Sequence, residues 1–396
     1  MKVETKKFLA KTGNEAAAYA MKQINPDVVA AYPITPSSEI VMIFSKYVAD
    51  GEVDTEFIPV ESEHSAISVC IGASASGARV MTATSSQGLA LMHEILYIAS
   101  FLRLPIVMVV GNRALSGPLN IHCDHSDTMG SRDSGWIQMY CENANEVYHT
   151  IINAVKISER ANLPSMVMMD GFIVTHGMEK VFVLEDEDVR NFIGKRKPLY
   201  SLLDVEKPIT LGSLTLFDYY FEHKRNQLEG VLKSKKIIDE VFEEYSNRFG
   251  INIPSFVEEY NMEGAEVVVI VMSSAAGTFK EAVDILKDKG EKVGVLRLKI
   301  MRPFPYEILR EKLSNVKVVG VMDRAETFSS MGGPLSIEVK AALYPLSKRP
   351  LVQNFIFGLG GREFGIEDAI NVFEILKGIK KRNAVSEEFI YIGLRE

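Results

Sequence analysis

The sequence predicts an α/β protein: a parallel sheet covered on both faces, followed by a smaller α/β domain. Three observations carry this. Through residues 1–175, short apolar runs alternate with helix-forming segments, and each run ends in a polar turn. The same alternation resumes near residue 266 after a charged interval. At 396 residues the chain is also too long for one ordinary core.

The elements follow in order. Residues 13–23 are rich in helix formers and small side chains, so a helix there can approach a sheet closely. Residues 27–31 read as a strand. Pro33 and Pro36 remove two backbone donors and stop it at Tyr32-Pro33-Ile34-Thr35-Pro36. Ser37 or Ser38 can then cap a helix whose apolar positions are Ile40, Val41, Ile43 and Phe44. A second strand at 56–60 ends in Glu61-Ser62-Glu63-His64, and a small-residue helix follows at 65–77. Residues 80–84 form a strand, Ser85-Ser86-Gln87-Gly88 a polar turn, and 89–101 a helix. Strands are expected at 105–110 and 164–169, with a helix over roughly 144–161 between them.

Residues 180–262 break the rhythm with charged clusters. A long amphipathic helix follows at about 218–248, its apolar face suited to packing along the domain or a partner. The second block has strands at 266–272, 293–298 and 316–322. Its turn Ser273-Ser274-Ala275-Ala276-Gly277 lacks a full G-x-G-x-x-G pattern, so a plain strand–helix turn is preferred to a phosphate cradle. The expected division is 1–262, with a charged helical extension at about 180–262, and 263–396.

Composition excludes several functions. The net charge of −8, without a large basic block, argues against a nucleic-acid or anionic-membrane surface. The first residues lack the apolar core of a signal peptide, and no apolar run approaches a membrane span. Cys70, Cys123 and Cys141 make no C-x-x-C pair. A self-contained iron–sulfur cluster, a zinc ribbon or a disulfide scaffold is therefore not expected, and a reduced cytoplasmic setting fits.

Polar strand ends stand out as the candidate site: Tyr32 and Thr35, Glu61, Glu63 and His64, Ser85, Ser86 and Gln87, Asn112 and Arg113. In a parallel sheet these ends converge on one edge. A carboxylate, a hydroxyl and a guanidinium meeting there suit a small anionic substrate and an ionisable heterocycle, and Arg suits a planar carboxylate. His122-Cys123-Asp124-His125-Ser126-Asp127 is read as a polar loop rather than a metal site, since adjacent residues cannot all face one ion. Trp136 is read as a packing anchor. No metal ligand is assigned in this chain.

Five ordered motifs resemble the alpha subunit of the 2-oxoacid:ferredoxin oxidoreductases, most closely the pyruvate-specific members. They are Tyr32–Pro36, Val60–Ala66, Ile71–Ala75, Thr82–Gly88 and Arg132–Trp136. Asp323-Arg324-Ala325-Glu326, Gly332-Gly333-Pro334-Leu335 and Gly358–Arg362 extend the similarity through the second block.

The resemblance implies a thiamine-diphosphate-binding domain of pyrimidine type followed by a transketolase-C-like domain. It also implies CoA-dependent oxidative decarboxylation of pyruvate to acetyl-CoA and CO2, with ferredoxin as electron acceptor. It puts the aminopyrimidine partner at Glu63, with Glu61 as competitor. Thr35 would hydrogen-bond the 2-oxoacid, Arg113 would pair with its carboxylate, and Tyr32 and Pro33 would flank the cofactor. The chain has no Gly-Asp-Gly step followed by a downstream Asn to hold Mg2+-diphosphate. The resemblance implies that the second half of the cofactor site, with Mg2+, lies on a beta subunit, the [4Fe-4S] clusters on beta and delta, and the coenzyme A side on gamma. The alternatives are a branched-chain 2-oxoacid or 2-oxoglutarate as substrate, or a non-catalytic scaffold.

Overall fold

The computed structural model describes residues 7–385 and 387–395. It opens with β1 (Lys7–Lys11) and α1 (Gly13–Ile24), whose first turn is closed by a capping box between Thr12 and Glu15. The alternation then runs β2 (Val28–Ala31), α2 (Ser38–Ala49), β3 (Glu56–Pro59), α3 (Glu63–Ala75) and β4 (Val80–Thr84). After β4 come α4 (Ser86–Leu91), α5 (His93–Phe101) and β5 (Ile106–Asn112). Next are α6 (Ser126–Gly130), β6 (Ile137–Tyr140), α7 (Ala144–Ala161) and β7 (Ser165–Asp170).

β8 (Glu179–Val183) returns to pair antiparallel with β1. α8 (Asp186–Ile193) and the long α9 (Tyr220–Phe249) complete the first half. The second half contains β9 (Val257–Tyr260), β10 (Val267–Val271), α10 (Ala275–Lys287), β11 (Val293–Leu298) and β12 (Ile300–Arg302). It ends with α11 (Tyr306–Leu313), β13 (Val318–Asp323), α12 (Pro334–Leu343), β14 (Leu351–Phe357), α13 (Ile366–Arg382) and β15 (Phe389–Ile392).

The seven-stranded sheet has the order β12-β6-β7-β5-β4-β2-β3, and the six-stranded sheet the order β15-β14-β13-β10-β11-β9. Both are parallel except for one antiparallel edge strand each, β12 against β6 and β9 against β11. These two strands cross the expected 262/263 division: β9 lies before it and joins the second sheet, while β12 lies after it and joins the first.

The cores cross it too. On β10, Val267, Val269 and Val271 face α10 and α13, whereas Val268 and Ile270 join a core that also holds Met108, Val110, Met166 and Met168 of the first sheet. This is the period-two consequence of a strand buried on both faces. Each such side chain contributes about 1.5–3 kcal/mol when fully buried, so the two halves share apolar stabilisation as well as strands. α9 lays Ile238, Val241, Phe242 and Tyr245 into the other core of the first sheet, beside α7.

Two local expectations are corrected. Residues 86–88 are the first turn of α4 rather than a free polar turn, and the helix expected at 89–101 divides at Met92. β6, α6 and the β1–β8 ribbon were not expected; they are too short to show a clear period.

Candidate functional site

β2 lies between β3 and β4 in the first sheet, so the chain steps from β2 to β3 on one side and then crosses back from β3 to β4 on the other, which opens a crevice at the strand ends. Thr35 and Arg113 meet there. The Arg113 guanidinium donates from Nη1 to the Thr35 carbonyl at 3.0 Å and from Nε to the Asn120 carbonyl at 2.8 Å. Nη2 donates to none of the described residues. Burial lowers the Arg113 guanidinium from its ordinary value, with the Asp127 carboxylate opposing. Tyr32, Pro33 and Thr35 stand exposed at the lip, and the Thr35 hydroxyl has no partner among the described residues.

Glu63 is the first residue of α3, because Ser62 caps the helix by accepting from the Ser65 amide. The residue is 7% exposed, and its carboxylate receives no hydrogen bond from the described residues. It lies hard against α4: a Cβ on Gly88 would sit 2.6 Å from Glu63 Oε1 and 2.4 Å from the Thr84 hydroxyl. That hydroxyl is itself buried without a partner. Glu61, by contrast, is exposed and accepts from the Ser65 hydroxyl, which lowers its pKa. His64 lies half-buried in the first turn of α3.

Asp127 ties the neighbouring strand ends together. It accepts from the amides of Ser86 (3.1 Å), Arg113 (3.0 Å) and Thr128 (2.7 Å), and from the Asn112 side chain (2.9 Å). Burial pushes its carboxyl up to about 6 against the opposing pull of the Arg113, Asn112 and Ser86 donors. Ser37 corrects the expectation of a simple helix cap. Its hydroxyl makes no cap bond; it donates to the Ile34 carbonyl (2.9 Å) and accepts from Ser85 (3.0 Å), stitching the first strand end to the third. The two prolines fold the turn tightly enough to bring Ile34 over Ser37.

The His122–Asp127 loop is polar and adjoins this crevice. Cys123 and His125 converge with Asp170, their ligand atoms within 4.8 Å of one another. The Arg324 guanidinium supplies the positive charge there, 2.7 Å from Asp170 Oδ2, while His125 Nε2 lies 2.8 Å from Oδ1. Ser274 also donates to Asp170 through its amide and hydroxyl, and Ser273 donates to the Cys141 carbonyl at 2.9 Å. The turn after β10 is thus a docking turn, its donors spent on the first sheet. Asp170 and Arg324 escaped the sequence reading as a pair; the available signal was a charged residue at the end of each apolar strand, Asp170 closing β7 and Arg324 following β13. Trp136 is fully buried and donates to the Leu96 carbonyl at 2.9 Å, an anchor as expected.

Residues 19–243 match the model of the thiamine-diphosphate-binding domain of pyruvate flavodoxin/ferredoxin oxidoreductase, and residues 265–369 match core domain II of pyruvate:ferredoxin oxidoreductase. Pyruvate synthase subunit PorA of Thermotoga maritima is 52% identical over 391 residues, 98% of each chain. The subunit of that name from Pyrococcus furiosus is 45% identical over 96% of each chain. Ketoisovalerate oxidoreductase subunit VorA of Pyrococcus abyssi is 44% identical over 97% of each. A solved 2-oxoglutarate:ferredoxin oxidoreductase from Magnetococcus marinus superposes with a TM-score of 0.73 at 20% identity, over 93% of this chain and 65% of that one; this likeness is one of fold.

Proposed function

The chain belongs to the pyruvate flavodoxin/ferredoxin oxidoreductase family, and from that premise we propose that it is the alpha subunit of a pyruvate synthase. The complex would convert pyruvate and coenzyme A to acetyl-CoA and CO2 with reduction of ferredoxin, reversibly in principle. The carrying observation is Glu63, a buried residue whose carboxylate takes no donor from the described residues and packs so closely on Gly88 that a Cβ there would strike it. Such a group fits the aminopyrimidine of thiamine diphosphate, a donor that would satisfy it.

When bound, the cofactor supplies the carbon nucleophile and the electron sink. Glu63 would hold a proton at the ring nitrogen it faces and so fix the reactive tautomer. Tyr32 and Pro33 would flank the ring. The Thr35 hydroxyl, unengaged among the described residues, would orient the 2-oxoacid. Arg113, already fixed through Nε and Nη1, would offer Nη2 to the substrate carboxylate.

The exposed lip supports completion by a partner. We assign the diphosphate and Mg2+ half of the site to a beta subunit, the [4Fe-4S] clusters to beta and delta, and the coenzyme A side to gamma. A cytoplasmic complex accords with three free buried cysteines and with the absence, among the described residues, of any helix long and apolar enough to cross a membrane.

The test is Glu63→Gln in the reconstituted complex, with thiamine diphosphate binding and viologen reduction measured separately. Turnover is expected to fall by about 10²–10⁴-fold, the usual worth of a positioned acid–base group. Unchanged turnover would remove Glu63 from the chemistry and favour a scaffold. A 2-oxoacid panel on the same complex separates pyruvate from the branched-chain substrate named for the VorA relative.

A further inference from the structure

The substrate arginine is oriented by a loop that the second half of the molecule grips. Both protein acceptors of Arg113 are backbone carbonyls, of Thr35 and Asn120. The Thr35 carbonyl sits in a turn stiffened by two prolines. The Asn120 carbonyl lies in the loop 114–122, closed at its base by the Ala114 amide donating to the His122 carbonyl at 3.0 Å and exposed over Ser116–Leu119. Within that loop the one restraint on Asn120 among the described residues is local, the His122 amide donating to its side chain.

Its anchor comes from the turn after β14. The Asn120 side chain donates to the Gly360 carbonyl at 3.1 Å and accepts from the His122 amide at 2.6 Å. The Gly361 amide donates to the Cys123 carbonyl at 2.7 Å. Gly360 and Gly361 have φ of +57° and +80°, which L side chains rarely adopt. A Cβ on Gly360 would strike Asn120 Nδ2 at 2.5 Å, and one on Gly361 would strike His122 Cβ at 2.4 Å. The turn is a notch in which only a bare backbone lets the loop seat. The His125 amide donates to the Arg324 carbonyl at 2.7 Å and holds the far end of the same loop.

We propose that Asn120, locked by the Gly360–Gly361 notch, is a positioning residue for the 2-oxoacid, aiming the Arg113 guanidinium at the substrate carboxylate. The proposal rests on the assignment of Arg113 above. It gives the second half of the chain a part in substrate binding through the backbone of its Gly360–Gly361 turn.

Asn120→Ala, Asn120→Asp, Gly360→Ala and Arg113→Lys in the reconstituted complex test it, with kcat and KM for pyruvate and the thiamine diphosphate affinity measured for each. Asn120→Ala is expected to raise KM about tenfold while kcat stays within about threefold and cofactor affinity is unchanged, the scale of one misdirected charge-assisted hydrogen bond. Asn120→Asp keeps the acceptor for His122 but turns a carboxylate to the Gly360 carbonyl, so it should match Asn120→Ala. Wild-type KM in Asn120→Asp overturns the proposal, because the link to Gly360 would then be unused. Should Asn120→Ala fail to assemble, Gly360→Ala carries the same criteria. If Arg113→Lys raises KM and the notch variants do not, the proposal falls and the reading of Arg113 stands. If none moves KM, both fall.

Discussion

At the C-terminal edge of the first sheet, Tyr32 and Thr35 stand open and Glu63 takes no donor from the described residues. At the same edge of the second sheet, Ser274, Arg324 and the Gly360–Gly361 turn are all engaged with the first. Both edges read alike in sequence, as apolar strands ending in polar or glycine-rich turns. The difference is where the donors go. In the first, the buried Glu63 carboxylate and Thr84 hydroxyl take no partner among the described residues; in the second, Ser274 and Arg324 Nη1 are matched by Asp170, and Gly361 by the Cys123 carbonyl, although Arg324 Nε stays unpaired. What sets the first edge apart is a buried carboxylate that no donor or basic side chain of the described residues meets, whereas the Asp170 carboxylate has both.

The widest break in that comparison would come from Asp170→Asn. Burial alone would raise the Asp170 carboxyl, but Arg324 and His125 hold it well below the ordinary range. Removing the charge leaves Arg324 buried without its counter-ion, which costs about 3–5 kcal/mol. The complex should lose thermal stability accordingly, with any loss of turnover following the loss of fold. A variant as stable as wild type but without turnover would place Asp170 in the chemistry and erase the distinction between the two edges.

pH separates the edges more gently. Asp170, and Glu146 beside Arg297 and Lys299, are both depressed by their basic neighbours although burial opposes it. The stability they give is complete above the ordinary carboxylate pKa of about 4 and is lost as pH falls further. Asp127 and Asp323 are raised by burial to about 6 and about 7, so the folded chain binds their protons more readily than the unfolded one. Their contribution falls as pH rises from about 4 to those values and grows as it is lowered. Thermal stability should rise modestly from pH 7 to about 4.5, then fall. Protonation of Asp127 removes acceptor capacity from the Arg113 and Ser86 amides, so KM for pyruvate should rise as pH drops through about 6. A KM flat from pH 7 to 5 would detach Asp127 from the site.

How much of this was legible follows from range. Strands β2, β4, β10 and β11 and helices α1, α7 and α9 announce themselves by apolar runs or periodicity. Glu63, Thr35 and Arg113 could be singled out because strand-end position is a local property. The exchange of β9 and β12 between sheets, the shared core and the pairing of Asp170 with Arg324 join residues far apart in the chain, and no local pattern encodes such partners. Ser37 was misread for a related reason: its sequence neighbours promise a cap, while its actual partner, Ser85, belongs to another strand end.

The smallest expected effect sharpens the comparison within the first edge itself. Glu61 and Glu63 are two residues apart and equally acidic in sequence. The change from extended to helical backbone at the Ser62 cap sends one outward and one inward: Glu61 is exposed and already holds the Ser65 hydroxyl, whereas Glu63, the first helical residue, is buried against Gly88. A solvated carboxylate with its own partner has nothing to gain from a heterocycle it cannot enclose. Glu61→Gln should therefore leave turnover and cofactor affinity within about twofold of wild type, as surface substitutions away from special features do. A loss comparable to that of Glu63→Gln would mean that the aminopyrimidine approaches from the solvent side of α3, and burial would then be the wrong criterion for choosing between the two carboxylates.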